Sequence, residues 1–427
     1  MSISPTVSTM PRRRFLATGA AALGLAPMAF LKGQQGSPND EIAIGLVGCG
    51  GMGMGDMNNF LFMPGCRVVA VCDPDANAMN GAKKRVDDHY KNQDCKTYKH
   101  FKDLIAHPGL DALICGTPDH MHASVGIAAA SAGKHVYGEK PFTWGLREGR
   151  MLVDAIQKNK IVWQTGSQQR SGGEFRRFKA LLQNNTLGKI TRIEAGTPSG
   201  MSIQGHAPED KWAEIAGKPP AHLDWETYCG PVKGYPYHPM IHPWNWRWTH
   251  TFGGGQLMDW VGHHVDIALW SLGLDHTGPV KVEAAGELGQ HKVFDTYVKY
   301  AYQGTFEDGR VVEVRSDFMG TKVTGEKGWM HVDRGRLEAS DREMLRNVPS
   351  GYNEKIPGHH QDFIDCIREG RFNTASEPEG CHRSASFGML ALVAMDSKQP
   401  VKWDPKTEQI IDNPEQAKHP RLGARIV

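Results

Sequence analysis

The stretch Gly253–Asp266, GGGQLMDWVGHHVD, sets four titratable residues, Asp259, His263, His264 and Asp266, into an otherwise apolar run. Leu257, Val261, Val265 and Leu269 recur at helical spacing and predict a buried helix. Asp259, His263 and Asp266 recur at i, i+4 and i+7, so they predict a second, polar row on that helix. An imidazole titrates near neutrality, so such a row is suited to proton transfer. Two other readings exist. The histidines could be hydrogen-bonded core residues, or the four groups could offer oxygen and nitrogen ligands to a metal. Geometry disfavours the metal, because adjacent helical residues diverge by about 100° and cannot all converge on one ion.

A helix with that chemistry needs elements to hold it. The run EIAIGLVGCGGMG reads as a short buried strand followed by a G-x-G-x-x-G turn at Gly48, Gly50 and Gly53. Gly48 permits the tight turn. Gly50, with Gly51 and Met52, brings backbone N–H groups to a pyrophosphate at a helix N-terminus, and Gly53 lets helix and strand pack closely. The next strand, RVVAVCD, ends at Asp73, where a carboxylate can accept the ribose hydroxyls and repel a 2′-phosphate. This favours NAD, with NADP less suited. Strand and helix patterns then alternate through DALICGTP, HASVGIAAASAGK, HVYGEKP, LREGRMLVDAIQKNK and IVWQTGS. Such alternation predicts a doubly wound parallel sheet with ligands at the carboxyl ends of its strands. Thr117, Pro118 and His122 fall at one such end, and Glu139, Lys140 and Pro141 at another.

At this point the chain resembles the Gfo/Idh/MocA oxidoreductases. GLVGCGGMG, CGTPDHMH, GEKP and GGGQLMDWVGHHVD stand in that family's order and spacing, over nearly everything after residue 41. The resemblance implies an N-terminal Rossmann domain and a C-terminal α/β domain with a large open sheet. It implies a nicotinamide cofactor held by Gly48, Gly50, Gly51, Met52, Gly53, Asp73, Thr117, Pro118, His122, Glu139 and Lys140. It also implies a sugar, cyclitol or related polyol as substrate, with Lys140, Asp259 and His263 as catalytic residues. Oxidising a secondary alcohol requires a base for the hydroxyl proton, which suits His263. On this reading Asp259 orients the imidazole and Lys140 stabilises charge on the substrate oxygen. His264 lies one step off the row and suits a structural or a substrate-binding role equally. Trp244, Trp246 and Trp248 alternate with Asn245 and Arg247 just before the catalytic helix. They read either as an edge strand of packed aromatics or as a sugar platform in which Trp246 and Arg247 contact substrate.

Bulk properties agree and narrow the field. A length of 427 residues suggests at least two domains. A net charge of +2 gives no reason to expect nucleic acid or an anionic membrane as partner. The eight cysteines form no C-x-x-C pair, and several sit in apolar runs, as small buried hydrophobes do. The N-terminus, PRRRFLATGAAALGLAPMAF, resembles a twin-arginine signal, with Arg12-Arg13 before Phe15-Leu16 and Pro11 where Ser or Thr is usual. Its apolar segment is too short for a comfortable membrane span. The expected organisation is therefore a signal peptide over 1–32, cleaved near Ala29, a linker over 33–41, a nucleotide-binding domain over 42–165 and a catalytic domain over 166–427. The expected destination is the periplasm, through the twin-arginine export machinery and without a stable membrane anchor. A homo-oligomer is possible in this fold. Three functions fit these residues: an NAD-dependent dehydrogenase, a redox-neutral glycoside hydrolase, lyase or sugar–sugar oxidoreductase that keeps its NAD, and a non-catalytic sugar-binding protein. Intact Lys140, Asp259 and His263 argue against the last.

Overall fold

The computed structural model describes residues 41–204, 217–353 and 357–427. The expected signal peptide and nearly all of the linker lie outside the described residues. Six strands, β1 (Ile42–Val47), β2 (Cys66–Cys72), β3 (Lys96–Tyr98), β4 (Ala112–Cys115), β5 (His135–Gly138) and β6 (Trp163–Thr165), form a parallel sheet in the order β3-β2-β1-β4-β5-β6. This is the doubly wound dinucleotide-binding order, which reverses between β1 and β4 and opens a crevice at the carboxyl ends of the strands. β1 and β4 are buried along almost their whole length, as strands covered on both faces must be. β3 carries no apolar run, only Lys96, Thr97 and Tyr98, and is held by pairing with β2.

The second sheet has nine strands: β7 (Ile190–Gly196), β8 (Lys281–Leu288), β9 (Tyr297–Thr305), β10 (Val311–Arg315), β11 (Gly320–Gly325), β12 (Gly328–Asp333), β13 (Arg336–Ala339), β14 (Val401–Asp404) and β15 (Gln409–Ile410). Their order is β13-β12-β11-β7-β10-β9-β8-β14-β15, with β7 and β10 parallel and the other pairs antiparallel. β9 alternates buried Tyr300 and Tyr302 with exposed Lys299, Ala301 and Gln303, so one face of the sheet is covered and one is open. The covered face receives the long helix Pro378–Ser397, whose Phe387 ring fits where Gly304 has no side chain. Burying a ring of that size contributes about 1.5–3 kcal/mol.

The two halves share a core. Phe363, on the helix His359–Glu369, packs edge-on against Phe60 and Tyr137 of the first sheet's layer. All eight cysteines are buried and unpaired, which fits their apolar runs. Among the described residues, no helix is long and apolar enough to cross a membrane.

Candidate active site

The glycine turn takes the shape its residue types demand. Gly48 has φ +91°, and a Cβ there would lie 2.6 Å from the backbone of Gly116. A Cβ on Gly53 would lie 2.0 Å from the Gly48 carbonyl oxygen, so only glycine lets the helix Gly51–Leu61 pack against β1. Gly50 and Gly51 instead face open space. The unpaired N–H groups of that helix's first turn therefore meet an accessible cleft. Asp73 borders the same cleft. Its carboxylate accepts hydrogen bonds from the amides of Cys49 (2.7 Å) and Asp75 (2.8 Å), so it also ties the glycine turn to the end of β2. Burial raises Asp73 to about 6, against these two amides. Each carboxylate oxygen keeps lone-pair capacity for a hydroxyl.

One cleft of about 1120 Å³, its open side included, runs from Gly48 and Asp73 past Thr117 and Pro118 to Lys140 and Asp259. Its lining, which joins the glycine turn to Lys140 and Asp259, suits an extended ligand. At its far end Lys140 donates to Asp259 Oδ1 (2.9 Å) and to the Asp259 carbonyl (3.1 Å). The lysine stem passes over Gly262, where a Cβ would stand 2.9 Å from it. Arg247 Nε lies 3.7 Å from Asp259 Oδ1, and its guanidinium covers the rings of Trp244 and Trp246. Burial works against both charges, but Asp259 and then Glu139 hold Lys140 above the usual ammonium range. Lys140 and Arg247 in turn hold Asp259 below the usual carboxylate range. This end of the cleft therefore carries a partly buried cation–carboxylate pair held by direct hydrogen bonds.

The polar row expected on the catalytic helix does not form as spaced. A π-helical turn over Val261–Val265 separates two short α-helical pieces, Gly255–Trp260 and Asp266–Ser271. Its i+5 bonding shifts the stacking of i and i+4, and such turns recur at functional sites. Asp266 leaves the row altogether and is buried against Arg170 and Ser384. Asp259 gives its carboxylate to Lys140 rather than to His263. His263 is 8% exposed, edge-on to Trp260, with its Nδ1 buried and unpartnered among the described residues. Burial, then Lys140, lower its pKa well below the imidazole range, so it is neutral, as a base must be before it acts.

Two other expected contacts are redirected. His264 does not line the cleft. Its Nδ1 lies 2.8 Å from the Gly196 carbonyl and 3.1 Å from the Gly320 amide, and its Nε2 lies 3.1 Å from Asp333, so it bridges β7, β11 and β12. His122 has its Nδ1 at 2.7 Å from the Pro141 carbonyl and its Nε2 at 2.9 Å from the Thr117 carbonyl. It thus clasps the two loops that carry Thr117 and Lys140 and does not itself reach the cofactor cleft. Asn245–Trp248 form a single 3₁₀ turn rather than an edge strand, because Asn245 caps the chain around it, bonding Gln204 and Met240. Trp246 and Arg247 both line the cleft.

Asp119 lines the cleft as well, 4% exposed, and its carboxyl has no hydrogen-bond partner among the described residues. Burial, then Asp259, raise it to about 7, with Lys140 and Arg247 opposing. Its only signal in the sequence is position, directly after the strand end CGTP.

Comparison with known proteins adds the following. The family model described as Gfo/Idh/MocA oxidoreductase family, NAD-binding Rossmann fold, matches residues 42–167, and that of the family's C-terminal alpha/beta domain matches residues 172–421. An uncharacterized oxidoreductase of Bacillus subtilis, YrbE, is 28% identical over 84% of this chain and 98% of its own. A glycosyl hydrolase family 109 protein of Shewanella amazonensis is 29% identical over 34% of this chain and 36% of its own. Among solved structures, scyllo-inositol dehydrogenase from Lactobacillus casei, with bound NAD(H) and scyllo-inositol, superposes with a TM-score of 0.59. It covers 85% of this chain and 99% of that one at 17% identity, a likeness of fold.

Proposed function

Since the chain belongs to the Gfo/Idh/MocA family of NAD-binding oxidoreductases, we propose that it oxidises a secondary hydroxyl of a sugar, cyclitol or glycoside. One observation carries this reading: the glycine turn and the Lys140–Asp259 pair stand at opposite ends of one continuous cleft. NAD bound along it supplies a hydride acceptor at the Lys140 end. There Lys140 and Arg247 present positive charge to an oxygen that becomes negative as its proton leaves, and neutral His263, which neighbours Lys140 and Asp259 without lining the cleft, is assigned that proton. The Trp244–Trp246 rings beneath Arg247 offer an apolar wall to a ring's C–H face. A panel of sugars, cyclitols and glycosides, followed by both NADH absorbance and product release, tests the reading. No turnover of any polyol would defeat it.

Asp73 is the residue for cofactor choice. In the Asp73→Ser protein the ratio of NAD to NADP affinity, measured by calorimetry, is expected to fall by roughly tenfold or more, about 1.4 kcal/mol. The ratio is the proper readout, because the substitution also frees the Cys49 and Asp75 amides. Equal affinity for both nucleotides in the unmutated protein would remove Asp73 from this role.

A second reading, that the NAD stays bound and the cycle is redox-neutral, is favoured by a specific feature. Segment 222–247 of the second half straps the outer end of the cleft. His222 Nδ1 lies 3.0 Å from Asp75, the Asp224 amide donates to the Pro74 carbonyl, and the Ala76 amide donates to the His222 carbonyl. His242 and Tyr228 wall the same cleft. Such contacts across the mouth of the cleft would slow release of a dinucleotide. Retention also suits an exported enzyme, the destination to which Arg12-Arg13 points, where a replenished pool of free NAD(H) is not expected. Such an enzyme would oxidise a ring carbon and use the carbonyl to acidify the neighbouring C–H. A substituent is then eliminated and the ring reduced again, or a second sugar takes back the hydride. Protein purified without added cofactor and then denatured is expected to release close to one NAD per chain. An empty protein that accumulates NADH in step with product would leave the plain dehydrogenase standing.

A further inference from the structure

We propose that Asp56 and Glu139 form a one-proton acid pair under the cofactor cleft, and that oxidised NAD, on binding, expels that proton to solvent through His360. Asp56 lies on the glycine-rich helix, facing inward and 2% exposed. Its carboxyl hydrogen-bonds that of Glu139, and its Oδ2 has no donor among the described residues. Two carboxyl groups in hydrogen-bond contact, away from water, need a proton between them, because two like charges at that distance do not both ionise. The fold makes room for this. A Cβ on Gly166 would stand 2.1 Å from the Glu139 carboxyl, and Gln168 Nε2 donates to Glu139 Oε1 at 3.0 Å.

The pair has an inner and an outer end. Glu139 reaches the cleft beside Lys140. Asp56 Oδ1 lies 3.0 Å from His360 Nε2, and His360 stacks on Tyr137 (4.8 Å, 20°) with 16% of its side chain exposed. The groups facing the pair are Lys140 and His122 from the cleft side, Tyr137 and Gln168 from below, and His360 from outside. Burial raises both carboxyls, Asp56 to about 7 and Glu139 to about 8; the Asp56 charge raises Glu139 further, and Lys140 opposes the rise in both.

The coupling to the cofactor is electrostatic. Lys140 marks the end of the cleft where a hydride must pass, so the oxidised nicotinamide brings its positive charge toward Glu139. That charge favours a second negative charge on the pair, whereas the neutral reduced ring does not. The shared O–H bond breaks, the proton passes by way of His360 to buffer, and no electron moves. Release of a proton on binding means that NAD+ affinity rises with pH, by up to ~10-fold per pH unit where one full proton leaves. NADH affinity lacks this component. This goes beyond the proposed substrate reading and rests only on its placing of the reacting end at Lys140.

The test uses the full chain and cofactor alone. Calorimetric titrations of NAD+ and of NADH, each in phosphate and in Tris at neutral pH, give the protons released. More are expected for NAD+ than for NADH, and Asp56→Asn should abolish the difference. The difference should survive Asp119→Asn, since Asp119 is another cleft carboxyl that burial raises, to about 7. In stopped flow with a pH indicator, His360→Phe should slow the release without changing its count. Equal counts for the two nucleotides, or a difference lost in Asp119→Asn and kept in Asp56→Asn, would overturn the proposal. If Asp56→Asn does not fold, the infrared band of a protonated carboxyl in cofactor-free Asp119→Asn protein decides, and its absence at neutral pH overturns the pair. Binding of neither nucleotide would overturn the cofactor assignment as well, which separates the two failures.

Discussion

Replacing Lys140 by Ala is expected to lower turnover by roughly 10²–10⁴-fold, with NAD binding changed only slightly. Among the described residues, the amine is the one side-chain group that both hydrogen-bonds Asp259 and lines the reacting end of the cleft. Its loss removes a partly buried positive charge just where the substrate oxygen becomes negative. It also leaves Asp259 with Arg247 alone, at 3.7 Å, so a carboxylate would face the developing alkoxide. His263→Ala should cost a similar factor by removing the base. The pH profile adds a check that mere misfolding does not mimic. Because burial and Lys140 hold His263 well below the imidazole range, the base stays neutral as pH falls through the ordinary histidine range. The acid limb of kcat/KM should therefore lie below that range, and activity should persist there. Single-turnover hydride transfer, with NAD affinity measured separately, resolves the two effects. Unchanged turnover in either variant would remove that residue from the mechanism.

How far the sequence revealed this site depends on what kind of information each residue carries. Gly48, Gly53 and Asp73 were legible because their constraint is local: a positive φ, a close approach and a strand end fix them one by one. The parallel, doubly wound character of the first sheet followed from alternation, since parallel strands need crossovers. β3 escaped because three residues with no apolar run form a strand only by pairing with β2. The row Asp259, His263, Asp266 was read on a uniform 3.6-residue period. The π-turn over Val261–Val265 has no compositional signature and breaks that period, which is why Asp266 points elsewhere. His264 and His122 were legible as polar residues in apolar surroundings. Their partners, the carbonyls of Gly196, Thr117 and Pro141, are backbone atoms brought together only by the fold. Asp119 and the Asp56–Glu139 contact are cross-element facts of the same kind, 83 positions apart in the second case.

The displaced residue of that row yields the largest expected effect on stability. Arg170→Met should destabilise the protein by about 3–5 kcal/mol, because it strands a carboxylate in the core. Arg170 and Asp266 are each 1% exposed, and the guanidinium donates two 2.7 Å bonds to the two Asp266 oxygens. Asp275 lies 3.2 Å from the remaining Arg170 nitrogen, and Ser384 Oγ donates to Asp266 at 2.6 Å. Desolvating this cluster is costly, and only the full set of partners offsets it, so removing one partner costs more than the pair contributes. The double variant Arg170→Met, Asp266→Leu, with no buried charge left on that pair, should recover much of the loss in chemical denaturation. A double variant no more stable than Arg170→Met would refute the stranded-charge account. The same pair of proteins asks a question of the site. Asp266 is the first residue after the π-turn, so the clamp on Asp266 fixes the turn that carries His263 just after Asp259. If that anchoring sets their placement, the restabilised double variant should still turn over more slowly than the unmutated enzyme, with kcat reduced more than NAD affinity. Full activity in the restabilised protein would show that the clamp serves the fold alone.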